Sequence, residues 1–187
     1  MLLKEHKDLK LAIIAIPPKE KDKLLLRLIA KDKVLTEHLH FKLLEDEGDL
    51  VERFELLKVE IDEAADYLKE VKASSKDTLL LLRRLNGKVN HHYKVTKDIH
   101  TEVELRIYLL NKMPLLFKET MFSPSYANAE KLSAYFVRTT VSTLNKFRKL
   151  HEDLQFDLGE HFNALLAKIY TGKLSRAAQE LGLPKEL

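Results

Sequence analysis

The sequence predicts an all-α fold of about eight helices, and three observations lead to this prediction. Only five of the 187 residues are glycine and five are proline, whereas all-β folds use both residues at many tight turns. Leu, Lys, Glu and Ala, all strong helix formers, are abundant. Apolar side chains also recur every three or four positions along most of the chain, as they do on one face of a helix.

Three short helices are predicted before Gly48. Pro17 ends the first helix, because proline has a fixed φ and no N–H, and Pro18 begins the second. A charged corner at 31–33 leads to the third helix. Apolar residues of the second and third helices are spaced as on buried faces: Leu24, Leu25, Leu28 and Ile29, then Leu35, Leu39 and Leu43.

The fourth helix has the most regular pattern. Its apolar positions alternate steps of three and four, with acidic residues between them: Leu50, Phe54, Leu57, Ile61, Ala64, Leu68 and Val71. Ser74 and Asp77 resemble a capping box that begins the fifth helix. Asn86-Gly87 lies inside that helix, where it favours a kink or an early end. A sixth helix follows Asp98.

The chain is predicted to form a single all-helical domain, residues 1–187, with a candidate sub-boundary at 113–128. That segment contains two prolines and has no clear period, but its apolar residues predict that it packs on the core. From Val137 to Ile169 the helical spacing continues for a length of about 50 Å at ~1.5 Å per residue. We therefore predict a break between Gln155 and Gly159, giving two antiparallel helices.

The succession of short, paired helices over residues 1–112 is similar to HEAT-like α-solenoids, in which helical hairpins bury their apolar faces against neighbouring hairpins. The resemblance is architectural, and no repeat motif accompanies it. It implies a right-handed α-α superhelix of stacked antiparallel hairpins. A compact helical bundle is the alternative.

Composition and motifs exclude several functions. The chain has no cysteine, which excludes disulfides and thiolate chemistry. The Gly-rich phosphate loops, nucleophile elbows and zinc-binding helices of known enzymes have no counterpart. No catalytic residue, cofactor or metal is predicted. The apolar run 11–16 is too short for a signal peptide, and no run spans a bilayer, so a cytoplasmic protein without a membrane partner is expected.

The eight histidines are candidate metal ligands. Glu37 and His40 have the Glu-x-x-His spacing of di-iron bundles, and Asp157 and His161 share a helix face. A di-iron site needs a second Glu-x-x-His, which the sequence lacks. Solvated or half-buried histidines are therefore the preferred interpretation, with His92 at the edge of the core.

The stretch "GKLSRAAQELGL", residues 172–183, resembles the first helix and turn of factor-for-inversion-type helix-turn-helix modules. In that resemblance Ala177 and Ala178 form the close-packed pair and Gly182 is the turn glycine. The module also needs a recognition helix in the major groove, and only Leu183 to Leu187 follow the turn. We therefore expect an ordinary helix capped at Ser175 and ended by Gly182.

An acidic block followed by a basic one is the clearest feature of the charge distribution. Residues 45–71 contain eleven Asp/Glu and three Lys/Arg, and residues 72–149 contain six and fifteen. Within the basic block, the segment 83–97 forms a candidate patch for an anionic partner: Arg83, Arg84, Lys88, His91, His92, Tyr93, Lys94 and Lys97. The alternative is that these residues pair with the acidic helix 50–71.

These observations predict a non-catalytic helical interaction or scaffold module that binds a protein partner. An accessory nucleic-acid-binding protein that uses residues 83–97 is the alternative, and an enzyme of unknown type ranks third. The identity of the partner, the biological process and the oligomeric state do not follow from the sequence.

Overall fold

A computed structural model describes residues 3–117, 119, 122–123 and 125–187. Over these residues the chain forms nine α-helices and a short 3₁₀ turn at Leu3–Glu5, with no strand. The all-α prediction is confirmed. The helices are α1 (Lys7–Ala15), α2 (Pro18–Ile29), α3 (Lys33–Leu44), α4 (Glu47–Glu70), α5 (Ser75–Thr96), α6 (Ile99–Lys112), α7 (Tyr126–Phe147), α8 (Glu152–Tyr170) and α9 (Ser175–Glu180).

The chain divides into two compact units, Met1–Glu45 and Asp46–Leu187. The predicted sub-boundary at 113–128 does not coincide with this division, because that segment lies inside the second unit. That residues 1–187 act as one domain stays a prediction.

The first unit contains α1, α2 and α3, each beginning and ending close to the predicted residues. Asp32 caps α3 by accepting a hydrogen bond from the Leu35 N–H. The predicted buried faces are wrong here, because none of the described residues of α1, α2 and α3 is buried. Leu25 and Leu28, for example, are 56% and 54% exposed. A unit of this length has too little chain to enclose a core.

The second unit is built around α6, which packs against α4, α5, α7 and α8. Helix α5 also packs against α7, and the short α9 packs against α7 and α8. Contacts between sequence-distant helices on several sides of α6 are those of an all-α bundle. The described contacts do not confirm the more specific HEAT-like stack.

Helices α4 and α5 begin at side-chain caps. Asp46 and Asp49 form a reciprocal capping box on α4. The hydroxyl of Ser74 accepts from the N–H of Asp77 on α5, as the sequence predicts. Helix α5 then continues without interruption to Thr96, so the predicted kink or early end at Asn86-Gly87 does not occur.

The segment after α6 packs on the bundle where the structure describes it. Met113 is fully buried, and Leu115 and Phe117 lie against the core. The Glu119 carboxylate accepts hydrogen bonds from the N–H and the hydroxyl of Ser75, at the first residue of α5. A carboxylate at a helix N-terminus is stabilised by the helix dipole. Residues 118, 120, 121 and 124 of the predicted loop lie outside the described residues.

Lys168 links α8 to the end of α6. Its Nζ donates to the carbonyl oxygens of Leu110, Asn111 and Met113 at 2.8, 2.7 and 2.7 Å. The last carbonyls of a helix have no partner within the helix, and this ammonium group supplies one. Burial lowers the pKa of Lys168 to about 8.

The predicted break between Gln155 and Gly159 is wrong in position. Helix α7 ends at Phe147, and α8 begins at Glu152, where the His151 ring accepts from the N–H of Asp153. Leu150 in the turn is buried, so the core holds both helix ends together. Gly159 lies inside α8, because one glycine in a helix costs only about 1 kcal/mol.

A buried polar network joins α5, α6 and α7. Glu102 is fully buried, and its Oε1 accepts from Arg106 Nη2 at 2.7 Å and from Lys146 Nζ at 2.5 Å. Arg106 also donates to the Oδ1 atoms of Asn86 and Asn90 on α5. This network explains why a polar asparagine occurs at position 86, inside α5.

The stretch that resembles a helix-turn-helix ends in a docked segment. Helix α9 has six residues and begins at Ser175, with Leu174 at the cap position, so the predicted cap at Ser175 is wrong. Ala178 belongs to the core, and Gly182 takes the left-handed conformation with φ 66°. Leu183 is buried, and its carbonyl accepts from the Tyr170 hydroxyl. No second helix follows α9 in the described residues.

Candidate functional site: the groove between α4 and α5

The predicted basic segment lies on α5, which distributes its residues over different sides. Arg84, Lys88 and His91 are spaced i, i+4 and i+7, so they follow one side of the helix. That side lies along a groove between α5 and α4. Lys94 and Lys97 are exposed at the end of α5, and Lys97 has a left-handed backbone with φ 59°.

His92 belongs to the core side of α5. It is buried, and its Nε2 lies 3.0 Å from the hydroxyl oxygen of Thr101. Burial lowers the pKa of His92, while the charge of Asp98 acts in the opposite direction. Burial therefore favours the neutral form of the imidazole, which lies at the wall of the groove and at the edge of the core, as expected.

Arg83 and Tyr93 face α7 instead of the groove. The guanidinium of Arg83 lies over the Tyr135 ring, and the Lys146 ammonium lies over the Tyr93 ring, both at 5.2 Å. Nine positions, or about two and a half turns, separate Tyr93 from Arg84, which places them on opposite sides of α5. The structure thus does not assemble the eight predicted residues into one surface.

The groove has a volume of about 470 Å³ and a basic rim. Arg84, Lys88 and His91 line it from α5, and Arg53 lines it from α4. Its lining contains no carboxylate among the described residues. An anionic group entering the groove would therefore meet several cations.

The floor of the groove is apolar. Leu56 and Leu57 of α4 and Val95 of α5 line it, together with the backbone of Gly87. Leu56 is 59% exposed, so its aliphatic side chain is open to the groove. A cationic rim and an aliphatic floor thus occur in the same groove.

An ion pair joins the acidic and basic blocks at the groove, and Arg84 takes no part in it. Lys88 Nζ lies 2.5 Å from Glu60 Oε2, which joins α5 to α4 as the alternative interpretation of the charges predicts. Arg84 is exposed and makes no ion pair with the described residues. Its charge is available to a partner.

A second cavity, of about 440 Å³, continues the groove toward the start of α5. It shares Arg84 and Lys88 with the first cavity and adds Glu60, Glu63 and Leu81. From Val95 to Leu81 the combined groove follows about 21 Å of α5, at ~1.5 Å per residue. This length matches a helix of about four turns.

Sequence reasoning missed the contribution of α4. The sequence does not single out Arg53, because this residue lies in the block with the highest acidic content. Two signals were present: Arg53 interrupts a run of acidic residues, and the adjacent pair Leu56-Leu57 makes the apolar stripe wider than the core needs.

The candidate metal ligands do not come together at one site among the described residues. The Nδ1 atom of His40 lies 2.8 Å from Glu45 Oε1, while Asp157 and His161 are exposed on α8. Among the described residues, no three His, Asp or Glu side chains are grouped as metal ligands.

Comparisons with protein-family models, curated proteins and solved structures find no match for this chain. In the part of the chain that the structure describes, no helix combines the length and apolar character needed to cross a bilayer.

Proposed function

We propose that this chain is a non-catalytic interaction module, and that the groove between α4 and α5 binds an acidic, amphipathic helix of a protein partner. The observation that carries the proposal is the combination of an apolar floor at Leu56, Leu57 and Val95 with Arg84, an exposed arginine at the rim that makes no ion pair with the described residues. We further propose that the partner is met in the cytoplasm, which a chain without cysteine permits.

The chemistry of the groove defines the partner. Apolar side chains of the partner would cover Leu56 and Leu57, which gains about 25 cal/mol for each Å² of apolar surface removed from water. Carboxylates of the partner would lie beside Arg84 and Arg53. A helix presents both kinds of group along one side when they recur at intervals of three and four residues.

Two features favour a protein helix over a nucleic acid. Nucleic-acid binding by a basic groove usually combines cations with an aromatic ring for base stacking, and Tyr93 lies on the opposite side of α5 from Arg84. The floor of the groove is aliphatic, which suits leucine side chains better than phosphates. Binding of nucleic acid by the same cations is the alternative outcome of the test.

The test uses a fluorescein-labelled 16-residue helical peptide with leucines at i, i+4, i+7 and i+11, alanine at the centre of that face, and glutamates on both flanks. Its binding to the full chain is measured by fluorescence anisotropy in low salt. Arg84→Glu should weaken binding at least tenfold, since it reverses a charge at the rim. Arg138→Glu is the matched control, because Arg138 is an exposed arginine of α7 that makes no ion pair with the described residues.

The outcomes are distinct. The proposal is supported if the peptide binds, if Arg84→Glu weakens binding and if Arg138→Glu leaves it within about twofold. It is overturned if the wild-type chain does not bind the peptide. It is also overturned if a single-stranded oligonucleotide of equal charge displaces the peptide and binds more tightly, with the same dependence on Arg84.

A further inference from the structure

Gly87 lies at the centre of the groove, inside a helix that has no internal need for a glycine. It is 12 residues from the start of α5 and nine from its end, and α5 is helical throughout. A Cβ added at Gly87 would meet no atom within 4 Å. Packing within the bundle therefore does not require position 87 to lack a side chain.

A glycine in a helix interior has a cost for folding, because its backbone loses more conformational freedom than that of alanine. The neighbouring Asn86 has an internal role, since it donates to the Tyr135 hydroxyl at 2.8 Å and accepts from Arg106 at 2.5 Å. Gly87 has no such role. It lines the groove with bare backbone, beside Arg84 and Lys88.

We infer that Gly87 is the point of closest approach between α5 and the bound partner helix, and that it selects partners with a small residue at that crossing. This inference rests on the proposed function. Interaxial distances between packed helices depend on the side chains at the contact, and a glycine permits the closest packing. A partner with Gly or Ala at the centre of its apolar face would bring its flanking leucines to Leu56 and Leu57 on one side of the crossing.

The arrangement of the rim supports this crossing point. Arg84 lies three residues before Gly87, and Lys88 directly after it, so both cations lie within one turn of the bare backbone. A partner helix seated on Gly87 would place residues one turn from its small residue beside these cations. A glutamate there is the group that Arg84 would recognise, because Lys88 already pairs with Glu60.

Two substitutions at Gly87 test the inference, with Gly159 as the matched control. Gly159 also lies inside a long helix, has no atom within 4 Å of an added Cβ, and does not line the groove. Gly87→Ala and Gly159→Ala should both raise the urea concentration at the midpoint of unfolding. Gly159→Ala should leave binding of the Ala-centred peptide unchanged, Gly87→Ala should weaken it about threefold, and Gly87→Leu should weaken it at least tenfold.

A compensating change in the probe gives a second readout. A peptide with glycine in place of the central alanine should regain most of the affinity for Gly87→Ala, because the small side chain has moved from one helix to the other. A merely structural role for Gly87 would not produce this pattern.

The results separate a failure of this inference from a failure of the proposed function. A variant Gly87→Leu that binds as tightly as wild type overturns this inference and leaves the proposed function standing, as does a Gly87→Ala variant that unfolds at lower urea concentration. A wild-type chain that does not bind the peptide overturns both.

Discussion

The Glu102 network offers the sharpest test of the packing in the second unit. Glu102 is fully buried on α6, and Arg106, one turn later, is 5% exposed. Glu102→Gln keeps the size of the side chain but removes the charge that faces Arg106 and Lys146. Arg106 would keep its hydrogen bonds to Asn86 and Asn90 and lose its counterion.

The magnitude follows from the burial. Removing one partner of a buried ion pair costs about 3–5 kcal/mol, because an uncompensated charge remains away from water. This is a large part of the ~5–15 kcal/mol by which a domain of ordinary stability is folded. With a slope of about 2 kcal/mol per molar urea, the midpoint of unfolding should fall by about 1.5 M or more.

Urea unfolding followed by far-ultraviolet circular dichroism measures this change. Glu104→Gln is the matched control, because Glu104 lies on the same helix, its side chain is 35% exposed, and its ion-pair partner His100 is 3.9 Å away. The control should change the free energy of unfolding by less than about 0.5 kcal/mol. A loss below about 1 kcal/mol in Glu102→Gln would refute the reasoning, since it would mean that water reaches the carboxylate.

Three further predictions concern His92 and Lys168, two groups whose pKa is lowered mainly by burial. The free energy of unfolding should fall as the pH drops below 6.5, because His92 then binds a proton more readily in the unfolded chain than in the folded chain. The substitution His92→Gln should reduce this fall, which is measured as the difference between the urea midpoints at pH 7.5 and 5.5. Lys168→Met should cost about 2 kcal/mol in urea unfolding at pH 7, since it leaves three carbonyls at the end of α6 without their donor. Relative to this variant, the wild-type chain should gain stability from pH 8 toward pH 10.5, because the folded state releases the Lys168 proton at about pH 8 and the unfolded state only near 10.5.

The helix α4 illustrates how far periodicity predicts burial. Its stripe was predicted from Leu50 to Val71, and the helix indeed spans almost this range. Ile61, Ala64 and Leu68 are buried, whereas Leu57 is half-buried and Val71 is 50% exposed. The spacing defines which side of α4 faces its neighbours, but the neighbours cover only part of that side. The groove forms at one uncovered part.

The first unit shows the same limit more strongly. Its three helices were predicted from prolines, caps and spacing, which act within a few residues. The burial of their apolar faces was not predictable, since burial depends on which other elements pack against them. In the described residues of α1, α2 and α3, no side chain is buried.

The candidate site was predicted in part. Arg84, Lys88 and His91 were in the predicted patch and line the groove, whereas Arg83 and Tyr93 turn toward α7. The helical period could have separated these two sets, because residues nine positions apart lie on opposite sides of α5. The sequence offered no means of pairing Arg53 with Arg84.

The amino-acid sequence by itself determined the all-helical character of this protein, most helix boundaries and the basic stripe along α5, because propensities, caps and the 3.6-residue period operate over a few neighbouring residues. The tertiary structure decided which helices surround α6, that Glu102 and Lys146 meet in the core, and that α4 supplies the apolar wall and second arginine of the groove. These contacts join different helices, as with Glu102 and Lys146, which are 44 positions apart, and their formation depends on how the faces of whole helices fit together.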